Sequence, residues 1–576
     1  MLARDRRSAS RPTRAYDTTV AAQPQRLIPD RGHRGGDGFR AHARVFESPR
    51  HREARTSTQN PLDPPLFRPI ASLVHPRPNP PKTKPASLVE SFRPRSNQLA
   101  LHPQEKWVLG LLTLHLCFLP WALGTMHLWS QCVSLVLALA GFIAAAQPRT
   151  YDPHQTSGEP ARVRPLLRLW RFPLFWTGLL VLAYIAIQGL NPAWRYRSNP
   201  SYWWLDPVEH LSWLPSGMEV PFAIAGPWRA LLIFASLWLT VCTAWIGLMR
   251  RLTFRLLFTF LVVNGVLLSL LGLAQQLTHA TGVFWLVPVS SQSFVASFIY
   301  RNHAGAYLNI LLAVGAGLAW WYYARANRRL DKSSPAGVFT FAAIIVGLMV
   351  LFTSSRGAIL LLLTFVLLAG ISFLWAQVRL ASHERSPAVI AGLLILLVTF
   401  IGIGLFSLRV ENVWKRFAGM IVDPVASAHD RTEAHAAAAE MYAAEPILGW
   451  GAGCFRFGFP NYLYKHPEIY YSGTDRRKFW EHAHNDLLEF AVEFGVVGSL
   501  LLAAPLCWLG WALVRRRFWA NPLSLLAVLG CALTLVHSRM DFVFQTPAIL
   551  LTWVLVLLAC VRWAELDQPP AARSLR

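Results

Sequence analysis

The sequence predicts an all-α polytopic membrane protein of about 12 transmembrane helices, with one large loop folded over the outer face. Three observations predict it. Of 576 residues, 53% are hydrophobic and only 15% charged, whereas soluble domains carry about a quarter charged residues. From residue 106 the apolar residues fall in stretches of about 17–24, the length a helix needs to cross roughly 30 Å of hydrocarbon. These stretches are continuous rather than alternating, which selects helices over a barrel.

Residues 1–104 precede the first stretch. They hold 19 Lys and Arg against 8 Asp and Glu, run through Pro-rich segments such as HPRPNPPKTKP, and show no period that could bury a core. They read as a disordered basic tail, or as a start placed too early, without the apolar stretch of a secretory signal.

The spans then follow at 106–126, 128–146, 172–190, 227–249, 254–277, 304–324, 336–353, 357–376 and 388–408, which fill residues 105–408. Three more, at 486–514, 522–537 and 547–563, fill residues 485–566 ahead of a short cytoplasmic tail, 567–576. Twelve spans with a cytoplasmic amino terminus assign every loop to one side. The inner loops then carry 17 basic residues, from Arg149 to Arg517, and the short outer loops carry five: Arg195, Arg197, Arg301, Arg356 and Arg539. That segregation follows the positive-inside rule. The formal net charge of +24 therefore serves mainly to orient the chain, and no nucleic-acid partner is expected. Six of the seven cysteines lie in apolar spans and Cys454 in a polar loop, so they form no disulfide framework.

The outer loop 409–484 holds nine basic and nine acidic residues. Unstructured loops of that length are uncommon unless functional. Within it, Asp430–Ala444 reads as a helix capped by Asp430 and ended by Pro446.

Where that loop meets the tenth span, EHAHNDLLEF brings His482, His484, Asn485 and Asp486 directly before an apolar helix. Asp486 with Glu489 reads as a cap. His484 then lies just outside a helix N-terminus, where an imidazole able to accept a proton and a nearby phosphate are both favoured. The plainer alternative is a capping segment with an interfacial histidine. A zinc pair, His482 with His484, lacks a third ligand at ligand-like spacing among His429, His435 and His466.

Arg356, in the turn of LFTSSRGAILLL, sits at membrane depth and must be paired, face a polar cavity or snorkel to headgroups. Arg431 heads the loop helix with His435 one turn later, or it is a solvated surface charge. Arg301-Asn302-His303 opens the sixth span in the same manner. Gly449, Gly451 and Gly453 do not form a dinucleotide fingerprint, because position 454 is cysteine and no strand precedes them; a tight turn accounts for them better.

Taken together, these residues resemble the O-antigen ligase and O-antigen polymerase-like superfamily of bacterial inner-membrane proteins. His484-Asn485, nine further residues and Gly495-Val-Val-Gly498 match that family's motif at the end of its large periplasmic loop. The turn Thr353 to Gly357, Arg431 followed by Pro446, Gly449 and Gly451, and a looser Asn302 to Gly305 element add to it. The resemblance implies a GT-C-like glycosyltransferase that moves a glycan from undecaprenyl pyrophosphate to a hydroxyl of lipid A core or a growing polysaccharide, on the periplasmic side. It implies His484 as general base, Arg356 and Arg431 on the leaving pyrophosphate, and Arg301, Asn302 and Asn485 as substrate contacts, without metal or cofactor. Two other classes remain: a twelve-helix transporter, or a non-catalytic subunit of an exopolysaccharide assembly.

Overall fold

The computed structural model describes residues 101–151, 161–200, 202–289, 294–380, 424–470 and 479–567, all within one compact unit. Its principal helices are α1 (Pro103–Trp121), α2 (Leu128–Ala146), α3 (Pro173–Leu190), α4 (Pro227–Gly247), α5 (Arg251–Leu277), α6 (Arg301–Arg329), α7 (Ala336–Phe352) and α8 (Arg356–Leu380). The large loop contributes α9 (Pro424–Ala444), and α10 (Asp486–Arg515), α11 (Pro522–His537) and α12 (Pro547–Asp567) complete the series. Among the described residues eight of these helices are long and apolar enough to span a membrane, while α7 and α11 are shorter apolar helices.

Eleven of the twelve predicted spans are therefore helices. The ninth, 388–408, lies outside the described residues, as do the tail up to residue 100, the segments 409–423 and 471–478 of the large loop, and residues 568–576. Proline opens α1, α3, α4 and α11, where its fixed φ suits the first turn and its missing N–H costs nothing. The expected cap at Asp430 is corrected: α9 starts six residues earlier at Pro424, so Asp430 lies inside it, one turn and a half beyond the residue that starts the helix.

Short connectors at 122–127, 248–250, 353–355 and 538–546 make successive helices alternate in direction. Arg250, Arg251, Arg328, Arg329 and Arg515 thus gather at one end, and the turns holding Arg356, His484 and Asp541 at the other. At the centre α6 and α12 are the most enclosed helices. Small residues let α6 approach its neighbours: a Cβ on Gly305 would stand 2.4 Å from Ala358, and one on Gly317 would stand 2.9 Å from the Leu523 carbonyl. Close backbone approach of this kind is the usual basis of helix packing in lipid.

The loop after α3 holds a small sheet that the apolar runs did not foretell. Strand β1 (Pro192–Ser198) pairs antiparallel with β2 (Trp203–Pro207) and parallel with β3 (Gly217–Glu219). Side chains alternate along it: Trp194, Tyr196, Trp203 and Leu205 pack with Met218 and Phe457, while Arg195 pairs with Glu219 at 2.6 Å on the other face.

The large loop is fastened to the helices through a break in α10. Gly495 takes φ 61°, ψ −170° inside that helix, a region open essentially to glycine alone. The peptide groups freed there are paired with the Pro446–Gly451 segment. Val496 and Val497 donate to the carbonyls of Pro446 and Ile447 at 2.8 and 3.1 Å, while Trp450 and Gly451 donate to those of Val492 and Glu493 at 2.9 Å. Gly449 lies so close that a Cβ would stand 2.4 Å from the Gly495 nitrogen. From α3, Tyr184 Oη donates to the carbonyls of Leu448 and Phe494 at 2.8 Å. Backbone polar groups at membrane depth must be satisfied, and here two glycine motifs satisfy each other.

Candidate active site

His484 sits on the residue before the cap of α10. Asn485 is the N-cap, its Oδ1 accepting from the Leu488 N–H at 3.2 Å. The capping reading of Asp486 is thus off by one position. Asp486 instead anchors the helix start sideways: its N–H donates to Ser538 O and its Oδ2 accepts from the Phe544 N–H, both at 2.8 Å. Glu489 reaches back to the His482 Nδ1 at 2.7 Å and the Ala483 N–H at 2.8 Å. Gripped on both sides, His484 adopts φ 52°, the left-handed region that non-glycine residues seldom occupy.

The sequence reading lacked the nearest charge to this imidazole. His484 Nδ1 lies 3.1 Å from Asp541 Oδ1, with the carboxylate side chain 2% exposed and the imidazole 24%. Asn302 Nδ2 donates to the other oxygen of Asp541 and lies 2.8 Å from Tyr300 Oη. Burial pushes the Asp541 carboxyl upward, but the hydrogen bond and charge of His484, with the charges of His303 and Arg431, outweigh it and hold the group well below the usual carboxylate range. A carboxylate on Nδ1 fixes the proton there and leaves the Nε2 lone pair free.

Phe542 is the hub of the surrounding rings. Tyr300 and His482 stack on it, at 5.4 and 4.4 Å between centroids, and His303 and His484 meet it edge-on at 4.9 Å. The Tyr300 hydroxyl is pushed up by burial and by Asp541. A cavity of ≈ 390 Å³ opens over this floor, bordered by Arg431, Trp480, His482, His484 and Phe542.

The arginines converge on the same end. Arg431 Nη1 donates to the Met540 carbonyl at 2.9 Å, beside Asp541. Arg356 is the first residue of α8, following Ser355, whose Oγ accepts from the Ala358 N–H at 3.4 Å. Its neighbour Gly357 lies flat against His537, where a Cβ would stand 3.0 Å from Nε2. The His537 carbonyl in turn accepts from the Asp541 N–H at 3.1 Å. Contact of Gly305 with Ala358 sets the first turn of α6, with Arg301, against this same turn. Asn302 holds Asp541, and Asn485 caps α10. His466 pairs with Glu433 at 2.8 Å, and among the described residues no group of three or more His, Cys, Asp and Glu is placed to hold a metal.

Residues 340–503 match the family model described as O-Antigen ligase. That segment, under a third of the chain, is similar to O-antigen ligases. A search of curated proteins gave no match. The matched segment of this ligase-like chain runs from α7 to α10 and includes Arg356, Arg431, His484 and both glycine motifs. Tyr300, Asn302, Asp541 and Phe542 lie outside it, supplied by α6 and the α11–α12 turn. Asp541 left one signal in the sequence: it is the sole acidic residue between Glu493 and Glu565.

Proposed function

We propose that this protein transfers a glycan from undecaprenyl pyrophosphate to an acceptor hydroxyl, on lipid A core or a growing polysaccharide, at the periplasmic face of the bacterial inner membrane. The observation that carries the reading is the His484–Asp541 pair at the edge of a cavity that Arg431 also borders, with Arg301 and Arg356 on helix starts at the same end. In the transfer, His484 Nε2 takes the acceptor proton as the oxygen attacks the anomeric carbon. The bond from that carbon to the pyrophosphate oxygen breaks, and its electron pair leaves with the pyrophosphate. A single displacement inverts the anomeric centre.

Each group has a distinct duty. A positioned general base typically contributes about 10²–10⁴ in rate, and Asp541 stabilises the imidazolium that forms. Arg356 and Arg431, with Arg301, offer permanent charge and forked donors to the leaving group. The O-antigen ligase match over residues 340–503 supports this class of chemistry. The clustering of the polar groups at one end, rather than midway along broken helices of paired halves, weighs against a transporter.

Purified wild-type protein is expected to transfer glycan from the lipid-linked donor, and His484→Ala to lose transfer by about 10²–10⁴ at unchanged membrane level. Retention of full activity in that variant refutes the base. Arg356→Lys keeps the charge but loses the fork, and undiminished activity there makes Arg356 only an anchor.

A further inference from the structure

Behind the turn that carries Arg356, where α6, α8 and α11 meet, lies a cavity of ≈ 10 Å³ bordered by Asn309, Phe365, Thr534 and His537, with aliphatic side chains closing the rest. That is about the room one water needs, and a buried water is held by two to four polar partners. Three polar atoms can serve. Asn309 and His537 are 9% and 2% exposed, and Asn309 Oδ1 and His537 Nδ1 have no hydrogen-bond partner among the described residues. Orphaned polar atoms at this depth are costly, and here two of them border one small space. The third, Thr534 Oγ1, donates its proton to the Gly530 carbonyl at 3.0 Å and keeps lone pairs for a donor.

The set calls for an occupant of one heavy atom that both donates and accepts. A water that gives its protons to Asn309 Oδ1 and Thr534 Oγ1, and accepts from His537 Nδ1–H, satisfies all three. It also decides where the imidazole carries its proton. With Nδ1 protonated, Nε2 keeps its lone pair. Nε2 is the ring atom nearest Gly357, 3.0 Å from where a Cβ would stand, so the lone pair meets the first turn of α8, whose N–H groups carry partial positive charge. Asn309 holds the same turn from the other side, its Nδ2 donating to the Ala358 carbonyl at 3.0 Å.

We infer that one water molecule is bound between Asn309, Thr534 and His537, and that it makes His537 a positioning residue for the turn bearing Arg356. That Arg356 meets a leaving group belongs to the transferase reading. The water rests on the cavity and the atoms around it.

The test uses the full chain in detergent micelles and hydroxyl radicals generated by an X-ray pulse, which activates water held beside a side chain. Phe365, 5% exposed on the cavity wall, is expected to be hydroxylated, while Phe258, 1% exposed in α5, stays unmodified. Thr534→Val removes one partner at nearly constant volume and is expected to cut Phe365 labelling about 2–10-fold. Thr534→Ser keeps the hydroxyl and the label. Amide exchange over residues 353–359 is expected to quicken in Thr534→Val, and transfer kcat to fall at constant donor KM, both recovering in Thr534→Ser. Phe365 unmodified in wild type, or modified equally in Thr534→Val, overturns the water. Loss of the label without faster exchange, or with kcat unchanged, overturns the positioning role. A wild type that labels and exchanges as expected but transfers no glycan refutes the transferase reading and leaves the water-held turn standing.

Discussion

Replacing Asp541 by Asn changes the shape of the site least and its proton placement most. Asp541 accepts from His484 Nδ1 at 3.1 Å and the Phe542 N–H at 3.0 Å on one oxygen, and from the Asn302 amide on the other. Asparagine offers one carbonyl and one NH₂ group. Facing its carbonyl to Asn302 turns its NH₂ toward His484 Nδ1, which must then accept. The imidazole proton moves to Nε2, and the lone pair that would take the acceptor proton is lost. Facing it the other way sets two NH₂ groups against each other beside a buried hydroxyl. Loss of one charge-assisted hydrogen bond costs about 1.5–3 kcal/mol, or about 10–150-fold in rate, and the wrong tautomer adds to that up to the 10²–10⁴ typical of a general base. The assay is steady-state transfer by purified protein, with kcat and donor KM read separately. A fall of about 10² or more in kcat at near-constant KM is expected, with the melting temperature in detergent little changed. Full kcat in Asp541→Asn, or a loss confined to KM, would refute the dyad.

Gly495→Ala is expected to lower the melting temperature and the membrane level. The backbone there costs a non-glycine residue about 1–3 kcal/mol, and the new Cβ would stand 2.4 Å from the Ile447 carbonyl; wild-type stability in this variant would mean the stitched break is not rigid. His482 supplies a pH dependence. Burial lowers its pKa, but Glu489, with Glu481 and Glu493, raises it above 6.5 on balance. A raised folded-state value stabilises most below the unfolded pKa, and the gain is lost as pH rises through the folded one. The melting temperature is expected to fall above about pH 6.5 more steeply in wild type than in His482→Gln, and equal slopes would count against the pair with Glu489.

The legible parts of this molecule are those written as local patterns. Continuous apolar runs are long enough to mark the spans without any tertiary knowledge, and His484 to Gly498 can be found by spacing. What stayed hidden depends on distant chain segments meeting. Asp541 becomes the partner of His484 because the α11–α12 turn packs on the start of α10, and no spacing rule connects positions 57 residues apart. Gly449 reads alone as part of a tight turn and Gly495 as a motif residue, yet their shared role emerges only when one helix opens to admit the other's segment. The small sheet was readable, since Trp194, Arg195, Tyr196 and Arg197 alternate, but apolar content drew attention to the helices. Asp430 has a strong capping preference, and Pro424, which also suits a helix start, overrode it.

The separation of His484 from Asp541 along the chain governs when the pair can form. The ribosome delivers the imidazole first and its carboxylate 57 residues later, after all of α10 and α11 have been made. A nascent or truncated chain therefore carries the histidine without the partner that aims it. The pair is therefore complete only once the chain has been made past the penultimate helix.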